Sequence, residues 1–213
     1  MFGYILFDLD GTLTNPKEGI TRCVQYALKA INQEADSLNE LETFIGPPLH
    51  EQFKIHTGCD DKTADFLIEK YRERFSNTGI FENNIYEGIE DLLKYLKEKN
   101  KKIALATSKP TVYAKRILEH FGIYKYFDLC IGSELNGERV EKEDVISEVL
   151  KNLKPNLSKT VMVGDRKFDI NAAKSFGISS VGVKYGFAKE NELEKAKPEY
   201  LVNTVEELKT ILI

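Results

Sequence analysis

Two aspartates separated by one leucine close the first apolar run of the chain, Phe7-Asp8-Leu9-Asp10-Gly11-Thr12. Along an extended chain, residues two apart face the same side, so Asp8 and Asp10 share a face. Gly11 then permits a sharp turn away. Two carboxylates held this close repel each other and call for a cation or a shared proton. A polar turn that merely closes a strand is the alternative. A calcium loop does not fit the spacing, because its glycine stands sixth and Gly11 is fourth counted from Asp8.

Three later segments carry chemistry of the same kind. Ala106-Thr107-Ser108-Lys109-Pro110 places a hydroxyl and exposed amides where a strand turns into a helix, which suits a phosphate oxygen. A helix cap by Ser108 or Thr111 is the competing reading. Lys142, in Arg139-Val140-Glu141-Lys142-Glu143-Asp144, lies just before or at the start of a helix, where a solvated surface lysine is the ordinary expectation. Val163-Gly164-Asp165-Arg166-Lys167-Phe168-Asp169 delivers one carboxylate at a strand end and a second four residues on, with helix capping as the alternative.

These groups need elements to hold them. Short apolar runs rich in β-branched and aromatic residues recur at 3–8, 103–107, 127–131, 160–164, 180–183 and 200–202. Between the later runs, Ile89, Leu92, Leu93 and Leu96 keep helical spacing, as do Ala114, Ile117, Leu118 and Phe121, and Val145, Val149, Leu150 and Leu153. Strands alternating with helices predict a parallel sheet covered on both faces. In such sheets ligands bind beyond the carboxyl ends of the strands, where each of these polar groups falls.

One interval breaks the alternation. Between the first and second strand signals, Ile20, Cys23, Val24, Ala27, Leu28 and Ile31 form one apolar stripe, and Ala64, Leu67, Ile68, Tyr71 and Phe75 form another, with Gly46-Pro47-Pro48 between them. Residues 15–82 are expected to form a small helical domain inserted after the first strand, leaving 1–14 and 83–213 as the α/β core. Helices packed directly on the sheet are the alternative. Hinges are expected where the chain crosses, near 14–17 and 77–84; the second segment is polar, with Gly79 free to absorb a dihedral change.

Composition narrows the class. The chain has 213 residues, 42% hydrophobic and 30% charged, which is ordinary for a globular protein large enough to fold without staples. The net charge of −4 argues against a nucleic-acid polymer as partner. Cys23, Cys59 and Cys130 stand far apart, so neither a disulfide framework nor a zinc knuckle is indicated. No apolar stretch reaches the roughly 18 residues of a membrane span. The apolar start has no basic flank and is cut short at Asp8, so it reads as a strand; a cytoplasmic location and no membrane partner are expected. His50-Glu51-Gln52-Phe53-Lys54 lacks the second histidine of a zinc protease helix, and no Gly-x-Ser-x-Gly occurs.

Taken together, Asp8-x-Asp10-Gly11-Thr12, Thr107, Lys142 and Gly164-Asp165-x-x-x-Asp169 resemble, in order, the four motifs of the haloacid dehalogenase superfamily. The likeness runs from end to end and includes the helical insert. It implies a Rossmann-like parallel sheet with an all-helical cap, as in phosphoglycolate-phosphatase-like members. It further implies a Mg²⁺-dependent phosphatase acting on a small-molecule phosphomonoester, as a monomer or weak dimer. Asp8 would be the nucleophile and Asp10 the acid and base. Thr107, Ser108 and Lys142 would bind the phosphoryl group. Asp8, the backbone carbonyl of Asp10, and Asp165 would hold the metal, and Asp169 would orient Lys142 or metal-bound water. An acid at Asp10 resembles family phosphatases and mutases and differs from the dehalogenases. Phe44-Ile45-Gly46-Pro47-Pro48-Leu49 resembles the cap loop that faces the core site, which makes Gly46, Pro47, Pro48 and Leu49 specificity candidates. Glu143 after Lys142 departs from phosphoglycolate phosphatases, which often have proline there. The Gly-Pro-Pro turn with Gly164-Asp165-Arg166-Lys167 is also similar to 5′-nucleotidase-type members, and a β-phosphoglucomutase-like mutase is the remote alternative.

Overall fold

The computed structural model describes all 213 residues. Its strands are β1 (Tyr4–Phe7), β2 (Thr14–Asn15), β3 (Asn84–Ile85), β4 (Lys102–Pro110), β5 (Leu129–Ser133), β6 (Thr160–Gly164), β7 (Ser179–Val183) and β8 (Tyr200–Val202). Its α-helices are α1 (Lys17–Lys29), α2 (Leu49–Thr57), α3 (Asp61–Arg74), α4 (Ile89–Glu98), α5 (Thr111–His120), α6 (Lys142–Leu153), α7 (Lys167–Ser175), α8 (Glu192–Ala196) and α9 (Val205–Leu212). None is long and apolar enough to cross a membrane. The chain divides into two compact units, one of Met1–Asn15 with Ile85–Ile213 and the other of Pro16–Asn84.

In the first unit six strands form one parallel sheet in the order β5-β4-β1-β6-β7-β8. The first strand in sequence lies inside the sheet, with β4 on one side and β6 on the other. The strand order therefore reverses at β1, the switch point at which such sheets open a crevice. Phe7 is in register with Leu105 on one side and Val163 on the other. Asp8 follows directly and donates its amide to Val163 O at 2.9 Å. One ladder thus delivers Asp8, Thr107 and Asp165 to the same edge of the sheet.

Alternation along the strands builds the core beneath that edge. Leu6, Ala104, Ala106 and Met162 face Val145, Ile146 and Val149 of α6 and Ala172 and Ala173 of α7, all fully buried. The expected strands at 103–107 and 127–131 occur with shifted ends. β4 runs on to Pro110, and its pairing with β5 is interrupted between Ala106 and Pro110.

The second unit is helical. Cys23, Val24, Ala27 and Leu28 of α1 and Ala64, Leu67 and Tyr71 of α3 are its buried stripes. Ile31 lies beyond the end of α1, because Asn32 takes φ +57° and turns the chain. The helix α2 was not foreshadowed by periodicity: of its nine residues only Phe53 is fully buried, against Phe44 at 5.0 Å between rings. Gly79 is closely packed. A Cβ there would overlap Cys23 Sγ, and one at Gly19 would overlap Gly79 O, so the pair permits close backbone approach. Within or beside the two expected crossings, Thr14–Asn15 and Asn84–Ile85 pair as the two-stranded β2–β3 ribbon. The thiols of Cys23 and Cys130 are buried and that of Cys59 is half-buried, all free.

Candidate active site

Asp8, at the end of β1, is 7% exposed and accepts a 2.8 Å hydrogen bond from the Lys142 ammonium. Lys142 is the first residue of α6 and is buried, so it is no surface lysine. Its ammonium also reaches Asp169 Oδ1 at 2.9 Å and Ala106 O at 3.1 Å. Asp8 and Ala106 accept hydrogen bonds from it, and Asp169 faces it as an ion pair. Burial opposes its charge, but Asp169 and Asp8 more than offset this and hold the ammonium pKa above its ordinary value.

Asp165 follows β6 and is fully buried. The amide of Phe187 donates to its Oδ2 at 2.7 Å, and its Oδ1 has no hydrogen-bond partner. Burial, then repulsion from Asp8 and Asp169, push its carboxyl well above the usual range. It caps no helix. That task belongs to Asp169, which accepts from the amide of Arg166 at 3.1 Å at the start of α7. Burial and Asp8 also raise Asp169, to about 6, against the pull of Lys142.

Asp10 is half-buried, its Oδ2 2.5 Å from the Lys109 ammonium and its Oδ1 enclosed without a hydrogen-bond partner. Burial raises its pKa, with Asp8 adding to the effect and Lys109 opposing it. Thr107 is buried, and its hydroxyl accepts from the Lys109 amide at 3.3 Å. Ser108 is half-buried, and its carbonyl accepts from Ser133 Oγ at 2.7 Å. Neither Ser108 nor Thr111 caps α5; Thr111 instead receives the amide of Gly132 at 2.9 Å. Gly46, Pro47, Pro48 and Leu49 belong to the other unit, where Gly46 takes φ +102° and Pro48 immediately precedes α2.

Two parts of this site had no signal in the motifs. Lys109 lies inside a quoted motif, but nothing in its spacing points it at Asp10. The segment Tyr185-Gly186-Phe187 follows β7 and wraps Asp165. Tyr185 donates its hydroxyl to Thr12 O at 3.0 Å, and a Cβ on Gly186 would overlap both Asp165 and Gly11 O. Glu192 ties this loop down, accepting from the amides of Lys167 and Lys189 and from the Arg166 guanidinium at 2.9 Å. Gly11, at φ +84°, is needed for conformation and for space, because a side chain there would also strike Asp165.

The charge arithmetic suits a cation. Asp8, Asp10 and Asp169 pair with Lys109 and Lys142, and Asp165 adds a fourth carboxylate to these two ammoniums. Arg166 is engaged by Glu192. One carboxylate oxygen from each of Asp8, Asp165 and Asp169 lies within 4.8 Å of the others. All-oxygen donors, an excess of negative charge and the unsatisfied Asp165 Oδ1 fit a hard divalent ion such as Mg²⁺.

A doubly wound α/β sheet with carboxylates and buried ammoniums gathered at its switch point defines a hydrolase-type centre for an anionic substrate. The chain belongs to the haloacid dehalogenase-like hydrolases, whose family profile matches residues 5–183, and within that family it is a phosphatase, a phosphoric monoester hydrolase. It is 41% identical over 208 residues to a 5′-nucleotidase of Pseudomonas aeruginosa, covering 98% of this chain and 94% of that one. It is 34% identical to the tyrosine-protein kinase PtkA of Mycobacterium tuberculosis, over 98% of this chain and 72% of that one. A crystal structure described as a predicted phosphatase from Clostridium acetobutylicum superposes with a TM-score of 0.96 at 43% identity, over 100% of this chain and 98% of that one.

Proposed function

We propose that the chain hydrolyses a small-molecule phosphomonoester through an aspartyl-phosphate on Asp8 with Mg²⁺ as cofactor, and that a nucleoside 5′-monophosphate is the first substrate to test. The observation that carries the reaction is the pairing of Asp8 with the buried Lys142 at 2.8 Å, beside a second acid, Asp10, whose Oδ1 is unengaged. The nucleotide assignment is supported by the 41% identical 5′-nucleotidase. Phosphoglycolate, suggested by the motifs, is the second substrate in line.

In this reading an oxygen of Asp8 attacks phosphorus, and Lys142 with the hydroxyl of Thr107 and the amide of Ser108 binds the phosphoryl oxygens. Asp10 donates a proton to the leaving-group oxygen and later accepts one from the hydrolytic water. Burial raises its pKa and Lys109 opposes the rise. Asp8, Asp165 and the carbonyl of Asp10 would hold Mg²⁺, and Asp169 would keep Lys142 in place. When bound, the ion supplies charge neutralisation between carboxylate and phosphate.

The test is inorganic phosphate release from nucleoside 5′-monophosphates, phosphoglycolate and sugar phosphates, with Mg²⁺ and with chelator. Release that depends on Mg²⁺ is expected, and Asp8→Asn should retain under about 1% of it with the fold intact, a loss of about 3 kcal/mol or more in barrier. Full activity in chelator, or an active Asp8→Asn, would remove the proposed mechanism. Phosphoryl transfer to tyrosine or between sugar positions without free phosphate would remove hydrolysis.

A further inference from the structure

Lys109 lies in β4 and Asp10 in the turn after β1, and the parallel pairing of β1 with β4 brings them together. Their side chains are 6% and 11% exposed, and the ammonium stands 2.5 Å from Asp10 Oδ2. The remaining Asp10 oxygen, Oδ1, is buried without a hydrogen-bond partner. Burying an ion pair costs desolvation that its attraction scarcely repays, so such a pair adds little as a fastener and instead fixes geometry. A carboxyl that passes a proton to one atom works best with one oxygen anchored and the other presented.

We propose that Lys109 is a positioning residue for Asp10: its ammonium anchors Oδ2 and presents Oδ1 to the leaving-group oxygen. The inference rests on the hydrolysis proposed above. In the first step an Asp8 oxygen forms a bond to phosphorus, and the bond from phosphorus to the leaving oxygen breaks. That oxygen keeps the electron pair and takes the proton from Asp10 Oδ1. In the second step the water oxygen bonds to phosphorus, its proton passes to Asp10 Oδ1, and the bond from phosphorus to Asp8 breaks. Lys109 keeps its protons throughout. It acts only by holding Oδ2 still.

Leaving-group dependence separates positioning from a merely structural role. p-Nitrophenyl phosphate expels a stable phenolate and needs little help from an acid, whereas an alkyl phosphate needs it fully. In Lys109→Met, kcat/KM for the alkyl phosphate should fall about 100-fold, and for p-nitrophenyl phosphate by less than about threefold. Lys109→Arg, which keeps a charged donor, should largely restore the alkyl reaction. In an Asp10→Asn background, Lys109→Met should cause no further loss on the alkyl substrate. Should Lys109→Met fail to fold, Lys109→Gln reads the same substrate ratio. Equal losses on both substrates, or losses that multiply in the double variant, would overturn the role of Lys109 while leaving the hydrolysis intact. A wild-type protein that turns over neither substrate would overturn the hydrolysis itself, and the role of Lys109 with it.

Discussion

The amide of Phe187 donates a 2.7 Å hydrogen bond to Oδ2 of Asp165, so one oxygen of this fully buried carboxylate is satisfied by backbone and the other is left without a partner. The segment after β7 thereby sets the direction in which a residue after β6 presents its charge.

That arrangement fixes the sign of a stability effect. Burial and the neighbouring Asp8 and Asp169 raise the Asp165 pKa in the folded state, so its ionised form destabilises the metal-free fold. The penalty is present at neutral pH and disappears as pH falls through the raised value. Asp165→Asn should therefore raise the melting temperature of the metal-free protein by about 2–4 °C, on the order of 1 kcal/mol. If Asp165 holds the proposed Mg²⁺, the ion should raise the melting temperature of the wild type and not that of the variant. Thermal melts with chelator and with Mg²⁺ check both. A variant that melts lower without metal and still responds to Mg²⁺ would contradict the assignment.

Gly186 is a steric requirement of the same corner. A Cβ there would overlap the Asp165 side chain and Gly11 O, and backbone cannot swing aside as a flexible side chain can. Gly186→Ala should cost about 1–3 kcal/mol in denaturant unfolding. It should also raise the Mg²⁺ concentration needed for half-maximal activity, because displacing the loop moves the amide that anchors Asp165. Unchanged stability would show that the loop has room to spare.

Asp128 gives a pH dependence away from the site. Burial pushes its carboxyl up, but hydrogen bonds from Lys97, the Ile103 amide and Lys102 prevail and bring it to about 2. Its ion pairs measure 2.7 and 2.9 Å, and its side chain is 18% exposed. A lowered folded pKa contributes stability that is present above the unfolded value and lost as pH falls through about 2. Asp128→Asn should cost about 1–2 kcal/mol at pH 7, and the gap from wild type should close as the protein is acidified below about pH 4. A gap independent of pH would assign the effect to packing.

Selectivity among leaving groups is proposed for Gly46, Pro47, Pro48 and Leu49. Substituting Pro48 or Leu49 should then alter relative kcat/KM across the substrate panel while leaving inhibition by inorganic phosphate near its wild-type value. Uniform losses on every substrate, together with weaker phosphate inhibition, would rule that role out.

Asp8 and Asp165 could be read from the chain because each directly follows a short apolar strand, and the neighbouring glycine and second acid are local properties. The six strands of the main sheet and the helices α4, α5 and α6 were legible from their apolar runs and stripes, whereas the two-residue β2 and β3 were not. The helix α2 was not, since Phe53 alone of its residues is fully buried and one position makes no period. For Gly79 the sequence shows a glycine free to bend, and only the fold shows that Cys23 and Gly19 press against it. Lys109 stood inside a recognisable motif with nothing local to aim it. Its partner Asp10 is set by the β1–β4 register, a pairing between strands far apart in the chain. The same holds for Lys142, which by itself reads as a surface lysine and is buried only because α6 packs its first turn against the ends of β1 and β4. Residue types and short spacings fixed which groups could react. Strand order and register, which arise from contacts distant in sequence, decided which of them meet, which charges lose their water, and which oxygen of each carboxylate is left to act.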